Sequence, residues 1–333
     1  MKRLKGIYLL EAQSLPLIYG QPEQTDIARH VDIVATPQTR ESIALDPSPL
    51  RDAEVIFSGW GAPKMDAAFL SHAPRLQAVF YGAGTTGYFT TEAFWDRGIT
   101  LTSAYAANAI PVAEYTLGAI LLSLRNFWRF SAHAKAGGAW GDQTRPMPGS
   151  FQTTVALIGC GMIARHLITL LKSFDLHCLV YDPYLDDFGA AKLGVTRCSL
   201  EEAFAQGDIV SLHAANKPET KGLITKDHFA LMKKNATFIN TARGPIIRES
   251  EMTDVLAARP DLTAVIDVCN HEPPLPDSPL LTLPNVILTP HIAGSHAGEV
   301  RRLGRYMVEE LERYLRQAPL RWQITRELSA RLA

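Results

Sequence analysis

Cysteine is scarce in this chain: Cys160, Cys178, Cys198 and Cys269 are the four among 333 residues. Thiols so few and so scattered form neither a disulfide framework nor a paired metal-ligand motif, and they suit a reducing compartment, so a cytoplasmic protein is expected. Net charge is nearly absent too. Lysine and arginine total 33 against 34 acidic residues, which leaves no overall field to attract nucleic acid or an acidic membrane surface. A small molecule is therefore the expected partner. The N-terminus lacks a long apolar run: after Lys2, Arg3 and Lys5 the stretch Gly6 to Leu10 stops at Glu11, too short for a signal peptide or a membrane span. Repeats and low-complexity segments are lacking as well. No histidine pair stands at i, i+4 in a metal-binding context, and His291 and His296 are five apart, so no metal is expected.

A chain of this length exceeds what one core holds, so two domains are expected. From residue 7 to about 101 the apolar runs Ile7 to Leu10, Val31 to Val34, Val55 to Phe57 and Leu76 to Phe80 alternate with polar or helix-compatible stretches. That is the pattern of strand-helix units around a parallel sheet. Pro111 opens an apolar segment, Val112 to Leu124, read as a helix covered on more than one side, between domains or between subunits. Residues 135 to 149, rich in glycine and proline around Trp140, read as a loop or arm.

A second alternating series follows. Thr154 to Ile158 reads as a strand, Met162 to Phe174 as a helix and His177 to Tyr181 as a strand, one βαβ unit. Ser199 and Glu202 form a capping box for the helix before a strand at Asp208 to His213. Later strands are expected at Thr237 to Asn240, Leu262 to Ile266 and Val286 to Leu288, and a last helix at about Glu299 to Leu315.

Gly159-Cys160-Gly161-Met162-Ile163-Ala164 follows a strand and opens a helix, the context a G-x-G-x-x-A dinucleotide turn requires. The first glycine permits the tight turn, the second lets backbone approach a pyrophosphate, and small Ala164 lets helix and strand pack closely; the amides at the helix start, from Met162 and Ile163, then bind anionic oxygens. Asp182 ends the next strand, 21 residues beyond Gly161, where a carboxylate accepts hydrogen bonds from a ribose and repels a 2′-phosphate. NAD is expected rather than NADP.

Arg243, Glu272 and His291 stand in Asn240-Thr241-Ala242-Arg243-Gly244, Glu272-Pro273-Pro274 and Thr289-Pro290-His291. An always-charged fork, a carboxylate and a titratable imidazole are the groups needed to hold a 2-oxo acid by its carboxylate and to protonate its carbonyl during reduction. A carboxylate beside the imidazole favours its charged form, ready to donate, and a guanidinium can grip the substrate carboxylate while facing the oxygen where negative charge develops.

With the turn at Gly159 to Ala164, the run Ile239 to Gly244, Asp267-Val268 followed by Glu272-Pro273, and Pro290-His291-Ile292-Ala293-Gly294, the chain resembles the D-isomer-specific 2-hydroxyacid dehydrogenase family over nearly its whole length. Gly82-Ala83-Gly84 and Asn108 to Glu114 add looser correspondences. The resemblance implies an α/β protein of two Rossmann-like or flavodoxin-like parallel-sheet domains with an interdomain cleft. Residues 1–104 with 299–333 would form the substrate-binding domain, and 105–298 the NAD-binding domain. It implies that His291 is the general acid and base, that Glu272 holds it and that Arg243 anchors substrate. It also makes Asp267 a contact to the nicotinamide end, places Thr241 and Ala242 by the cofactor, and makes Gly82 to Gly84 a second carboxylate grip. Trp60 and Tyr105, near strand ends, are candidate walls for the small 2-oxo or 2-hydroxy acid. The segment from Pro111 and the Trp140 arm resemble the family's dimer contacts, so a homodimer is expected.

Departures are few. Where the family often has His-x-Pro-x-Thr-Pro-x-Thr, this chain has His213-Ala214-Ala215-Asn216-Lys217-Pro218-Glu219-Thr220. That loop is expected near the nicotinamide ribose, with His213 a cofactor neighbour rather than the catalyst, Lys217 facing solvent or else attracting an anionic group of substrate or cofactor, and the cofactor contacts around Ala215 altered. Glu272, where the formate dehydrogenase branch uses glutamine, disfavours that branch. The chain ends soon after its last helical stretch, so no regulatory extension like that of some serine-pathway members is expected. Arginines from Arg301 to Arg331, interleaved with Glu309, Glu310, Glu312 and Glu327, read as a solvated helix face. A non-catalytic dinucleotide sensor of the same fold, such as a corepressor relative, stays open beside the enzyme.

Overall fold

The computed structural model describes residues 3–138 and 147–330, so Trp140 lies outside the described residues. The chain divides into two compact units, Met1–Asn108 with Ser295–Ala333, and Ala109–Gly294.

In the first unit β1 (Leu4–Leu9), β2 (Val31–Ile33), β3 (Val55–Ser58), β4 (Ala78–Tyr81) and β5 (Thr100–Ser103) pair in parallel in the order β5-β4-β3-β1-β2. Strands β3 and β4 are buried at every residue, which is why they read as continuous apolar runs rather than alternating ones. Alternation still sorts the faces: Ile7, Leu9, Ile56 and Val79 enter one core, and Tyr8, Val55, Phe57 and Phe80 the other. The helix Val300–Leu315 brings Leu303, Met307 and Leu311 onto that second core. A side chain at Gly304 would strike the Ile18 carbonyl, so glycine alone allows the approach.

One face of that helix departs from the solvated expectation. Glu310 is fully buried and accepts the amides of Arg321 at 3.1 Å and Trp322 at 3.2 Å, because the tail folds back over it. Asn108 Oδ1 accepts the Ser295 amide at 2.9 Å, joining the residues where the chain leaves and re-enters this unit.

The second unit contains β6 (Thr153–Ile158), β7 (Leu176–Tyr181), β8 (Thr196–Arg197), β9 (Ile209–Leu212), β10 (Thr237–Asn240), β11 (Thr263–Ile266) and β12 (Val286–Leu288), all parallel in the order β12-β11-β10-β9-β6-β7-β8. The strand order reverses between β6 and β9, the switch point where ligands of such sheets bind. A last strand, β13 (Gln323–Ile324), belongs to the first unit and pairs antiparallel with β5.

Most element boundaries shift by a residue or more from the sequence reading, and three of the shifts bear on the site. The helix after β6 ends at Leu171, not Phe174. Strand β9 stops at Leu212, leaving His213 in the loop. The apolar helix runs Tyr105–Leu124 with Pro111 inside it; the alanine-rich turn ahead of the proline is itself a strong helix former. By length and apolarity this helix could cross a membrane, but 56% of its most apolar window is buried within the protein, as in a core helix.

Candidate active site

Gly159 has φ +98°, a conformation that favours glycine, and a Cβ there would come within 2.7 Å of the Ala214 nitrogen and the His213 carbonyl carbon. This turn therefore closes onto the chain leaving β9, at the switch point. Gly161 is different: a Cβ there would meet nothing within 4 Å. It N-caps the helix Met162–Leu171 with no side-chain cap bond, so the amides of the first turn stay available to an anion. An open cradle over uncapped helix amides fits a pyrophosphate.

Asp182 does more than the sequence suggests. Its Oδ2 accepts the Cys160 amide at 2.6 Å and its Oδ1 the Tyr184 amide at 2.8 Å, so it braces the glycine turn while each oxygen retains a further lone pair. His213 is buried, its Nε2 is 2.9 Å from Ser211 Oγ, and its Nδ1 has no partner among the described residues. Burial pushes the imidazole down to about 4, so it is neutral near pH 7. Lys217 does not face solvent as expected: its side chain is only 12% exposed, with Nζ 4.0 Å from Glu219. Thr220 closes this loop, its hydroxyl donating to the Ala215 carbonyl at 2.6 Å and accepting the Lys217 amide at 2.9 Å.

The loop after β10 is set by Asn240. Its Oδ1 accepts the Ala242 amide at 3.0 Å, and its Nδ2 donates to the carbonyls of Arg243 and Val268, each at 3.3 Å. Arg243 donates to the Ala242 carbonyl at 2.6 Å. Burial pushes its guanidinium down from the ordinary value and neighbouring Glu272 opposes this, so the fork sits in a partly desolvated setting beside a carboxylate. A side chain at Gly244 would strike the backbone of Cys269 and Asn270. Glycine there lets the Arg243 loop lie against the loop that carries Glu272.

That next loop, after β11, contains a cis Glu272–Pro273 bond. Glu272 Oε1 accepts the Cys269 amide at 3.3 Å, and Oε2 is 2.7 Å from His291 Nδ1. His291 has φ +54°, uncommon for a non-glycine residue. It is held there because its amide donates to the carbonyls of Asp267 and Thr289, each at 3.0 Å. The Asp267 carboxylate accepts Thr289 Oγ1 at 2.7 Å and the amides of Ile292 and Ala293 at 2.8 and 2.9 Å. Arg243, Glu272 and His291 thus share one neighbourhood at the carboxyl ends of β10, β11 and β12.

The residues 117–293 match the family model described as the D-isomer specific 2-hydroxyacid dehydrogenase, NAD binding domain. The chain belongs to that family. Members are NAD-dependent oxidoreductases, and NAD is the cofactor of this domain. Among 2-hydroxyacid dehydrogenase relatives, the D-3-phosphoglycerate dehydrogenase of Methanocaldococcus jannaschii is 31% identical over 85% of this chain and 53% of its own. That of Archaeoglobus fulgidus is 29% identical over 86% and 54%. The chain spans about half the length of these curated relatives. Two solved structures share the fold at a TM-score of 0.80 and 22% identity: a phosphoglycerate oxidoreductase from Rhizobium etli, covering 97% of this chain and 99% of that one, and apo D-mandelate dehydrogenase of Rhodotorula graminis, covering 98% of each.

The remaining candidate residues lie in the first unit, each after a parallel strand. Trp60 follows β3 and is 36% exposed. Gly82 to Gly84 follow β4; the carbonyls of Ala83 and Gly84 accept Ser103 Oγ at 2.8 and 2.7 Å. A Cβ at Gly82 would strike Ile18, whereas one at Gly84 would meet nothing within 4 Å. Tyr105 follows β5 and packs edge-on to Trp322, with ring centroids 6.1 Å apart. Sequence reasoning missed Asn240 and Thr289 as organisers, although both stand inside quoted motifs; Ser211 and Ser103 gave no signal at all.

Proposed function

We propose that the protein interconverts a D-2-hydroxy acid and its 2-oxo acid with NAD. The observation that carries this reading is the 2.7 Å contact between His291 Nδ1 and Glu272, beside an arginine whose burial favours a carboxylate partner. With Nδ1 engaged by Glu272, Nε2 is the ring atom left for the substrate. In reduction Nε2 donates a proton to the carbonyl oxygen; in oxidation it takes the alcohol proton. Arg243 binds the substrate carboxylate with parallel donors and stabilises charge developing on the carbonyl oxygen. The amides of Gly82 to Gly84 are proposed to share in holding that carboxylate, with Trp60 and Tyr105 near the substituent. When bound, NAD supplies or accepts the hydride.

Gly159, Gly161, Met162 and Ile163 would hold the pyrophosphate, Asp182 the adenine-side ribose, and Thr241, Ala242, His213 and Asp267 the nicotinamide half. The two backbone bonds to Asp182 fix a carboxylate where NADP would carry its extra phosphate, which favours NAD. A homodimer is proposed from the exposed Leu122 and Phe127, to be tested by light scattering at micromolar concentration; a monomer mass would refute it.

The test of function is loss of NADH with glyoxylate, hydroxypyruvate, pyruvate, phenylpyruvate and sugar-derived 2-oxo acids. Turnover of at least one supports the enzyme. NADH binding without turnover across the panel supports a dinucleotide sensor instead.

A further inference from the structure

The bonds that fix the His291 loop continue beyond Asp267. Thr289 donates its hydroxyl to Asp267 Oδ1 at 2.7 Å. A hydroxyl has one proton, and a carboxylate that accepts the amides of Ile292 and Ala293 has none to return. The Tyr115 hydroxyl lies 2.9 Å from the same Thr289 oxygen, so Tyr115 must be the donor. Burial pushes the Tyr115 phenol up from its ordinary value; its bond to Thr289 opposes this and Asp267 adds to it, so the donor keeps its proton. The order is Tyr115 to Thr289 to Asp267, and Asp267 holds the amides of Ile292 and Ala293 and, through its carbonyl, that of His291.

Tyr115 projects from the helix Tyr105–Leu124, a 20-residue element, one turn beyond its internal Pro111, whereas His291 lies in an irregular loop with φ +54°. The next helix residue, Thr116, meets Thr241 Oγ1 at 3.3 Å in the loop that leads to Arg243. Consecutive residues of one helix therefore reach both loops. We infer that Tyr115 is a positioning residue for His291, transmitting the rigidity of this helix through Thr289 and Asp267 to the imidazole that faces Glu272. This rests on the proposed role of His291, so one arm of its test uses no substrate.

That arm is proton NMR of the full chain with isotope-labelled histidine and no nucleotide. The Nδ1–H in the Glu272 bond gives a downfield resonance, identified by its loss in His291→Ala. Tyr115→Phe and Thr289→Val should each shift or broaden it, Thr289→Ser should retain it, and Tyr115→Phe added to Thr289→Val should change it no further. The second arm is turnover on the best 2-oxo acid of the panel. Tyr115→Phe should lower kcat about ten-fold, with KM and NADH affinity within about two-fold, and the double variant should match Thr289→Val alone. An unchanged resonance in Tyr115→Phe, or losses that multiply in the double variant, overturns the inference. If no panel acid is reduced while the resonance responds as stated, the proposed reaction fails and the positioning stands.

Discussion

His291 and Asp267 are tied through backbone and side chain together: the His291 amide donates to the Asp267 carbonyl at 3.0 Å, and the Asp267 carboxylate takes the next two amides, Ile292 and Ala293, at 2.8 and 2.9 Å. Three successive amides thus converge on one buried residue. That convergence holds a non-glycine residue at positive φ, which alone costs on the order of 1–2 kcal/mol.

Asp267→Ala removes the acceptor of the Thr289 hydroxyl and of the Ile292 and Ala293 amides, the last of them buried, so it should destabilise the fold by about 2 kcal/mol. Because it also frees the His291 loop, kcat should fall about a hundred-fold. Urea unfolding and steady-state kinetics check both. A variant with wild-type midpoint and kcat would show that Asp267 does not organise this loop.

Gly244→Ala places a methyl group against the backbone of Cys269 and Asn270. Backbone cannot move aside as a flexible side chain does, so the loops of Arg243 and Glu272 should be pushed apart, at a cost of about 3 kcal/mol. Gly161→Ala, with open space at its Cβ, should leave the unfolding midpoint nearly unchanged and weaken NADH binding instead. Equal effects of the two substitutions on stability would contradict this division of roles.

His213 gives a pH dependence. Its folded value, about 4, lies below the ordinary 6.5 because burial disfavours the charged ring. The unfolded chain therefore binds the proton more readily. Stability from this group is whole above about pH 6.5, declines as pH falls toward 4 and is flat below that, a loss of about 3 kcal/mol at most. In His213→Gln the fall in unfolding free energy between pH 6.5 and 4 should be shallower than in the wild type; parallel curves would rule out the buried neutral imidazole.

Much of the site was legible because its residues sit in short loops whose local sequence is unusual. Gly159 must be glycine for reasons of its own dihedral angle, and Asn240 to Gly244 and Thr289 to His291 follow strands that the apolar runs reveal. What stayed hidden depends on chain from far away. Glu310 looks like any helix-surface carboxylate until the tail donates the Arg321 and Trp322 amides to it. The low exposure of Lys217 leaves no mark in the local sequence, and the donor role of Tyr115 comes from a partner 174 residues later. Pro111 misled for a local reason, since a proline marks a helix start more often than an interior.

The most direct test of the central claim is His291→Ala, with kcat on the best 2-oxo acid and NADH affinity measured on the same preparation. Loss of the proton carrier should lower kcat by about a thousand-fold or more while NADH affinity stays within about two-fold. Turnover within about ten-fold of wild type, at unchanged NADH affinity, would contradict the role of His291 and with it the proposed mechanism.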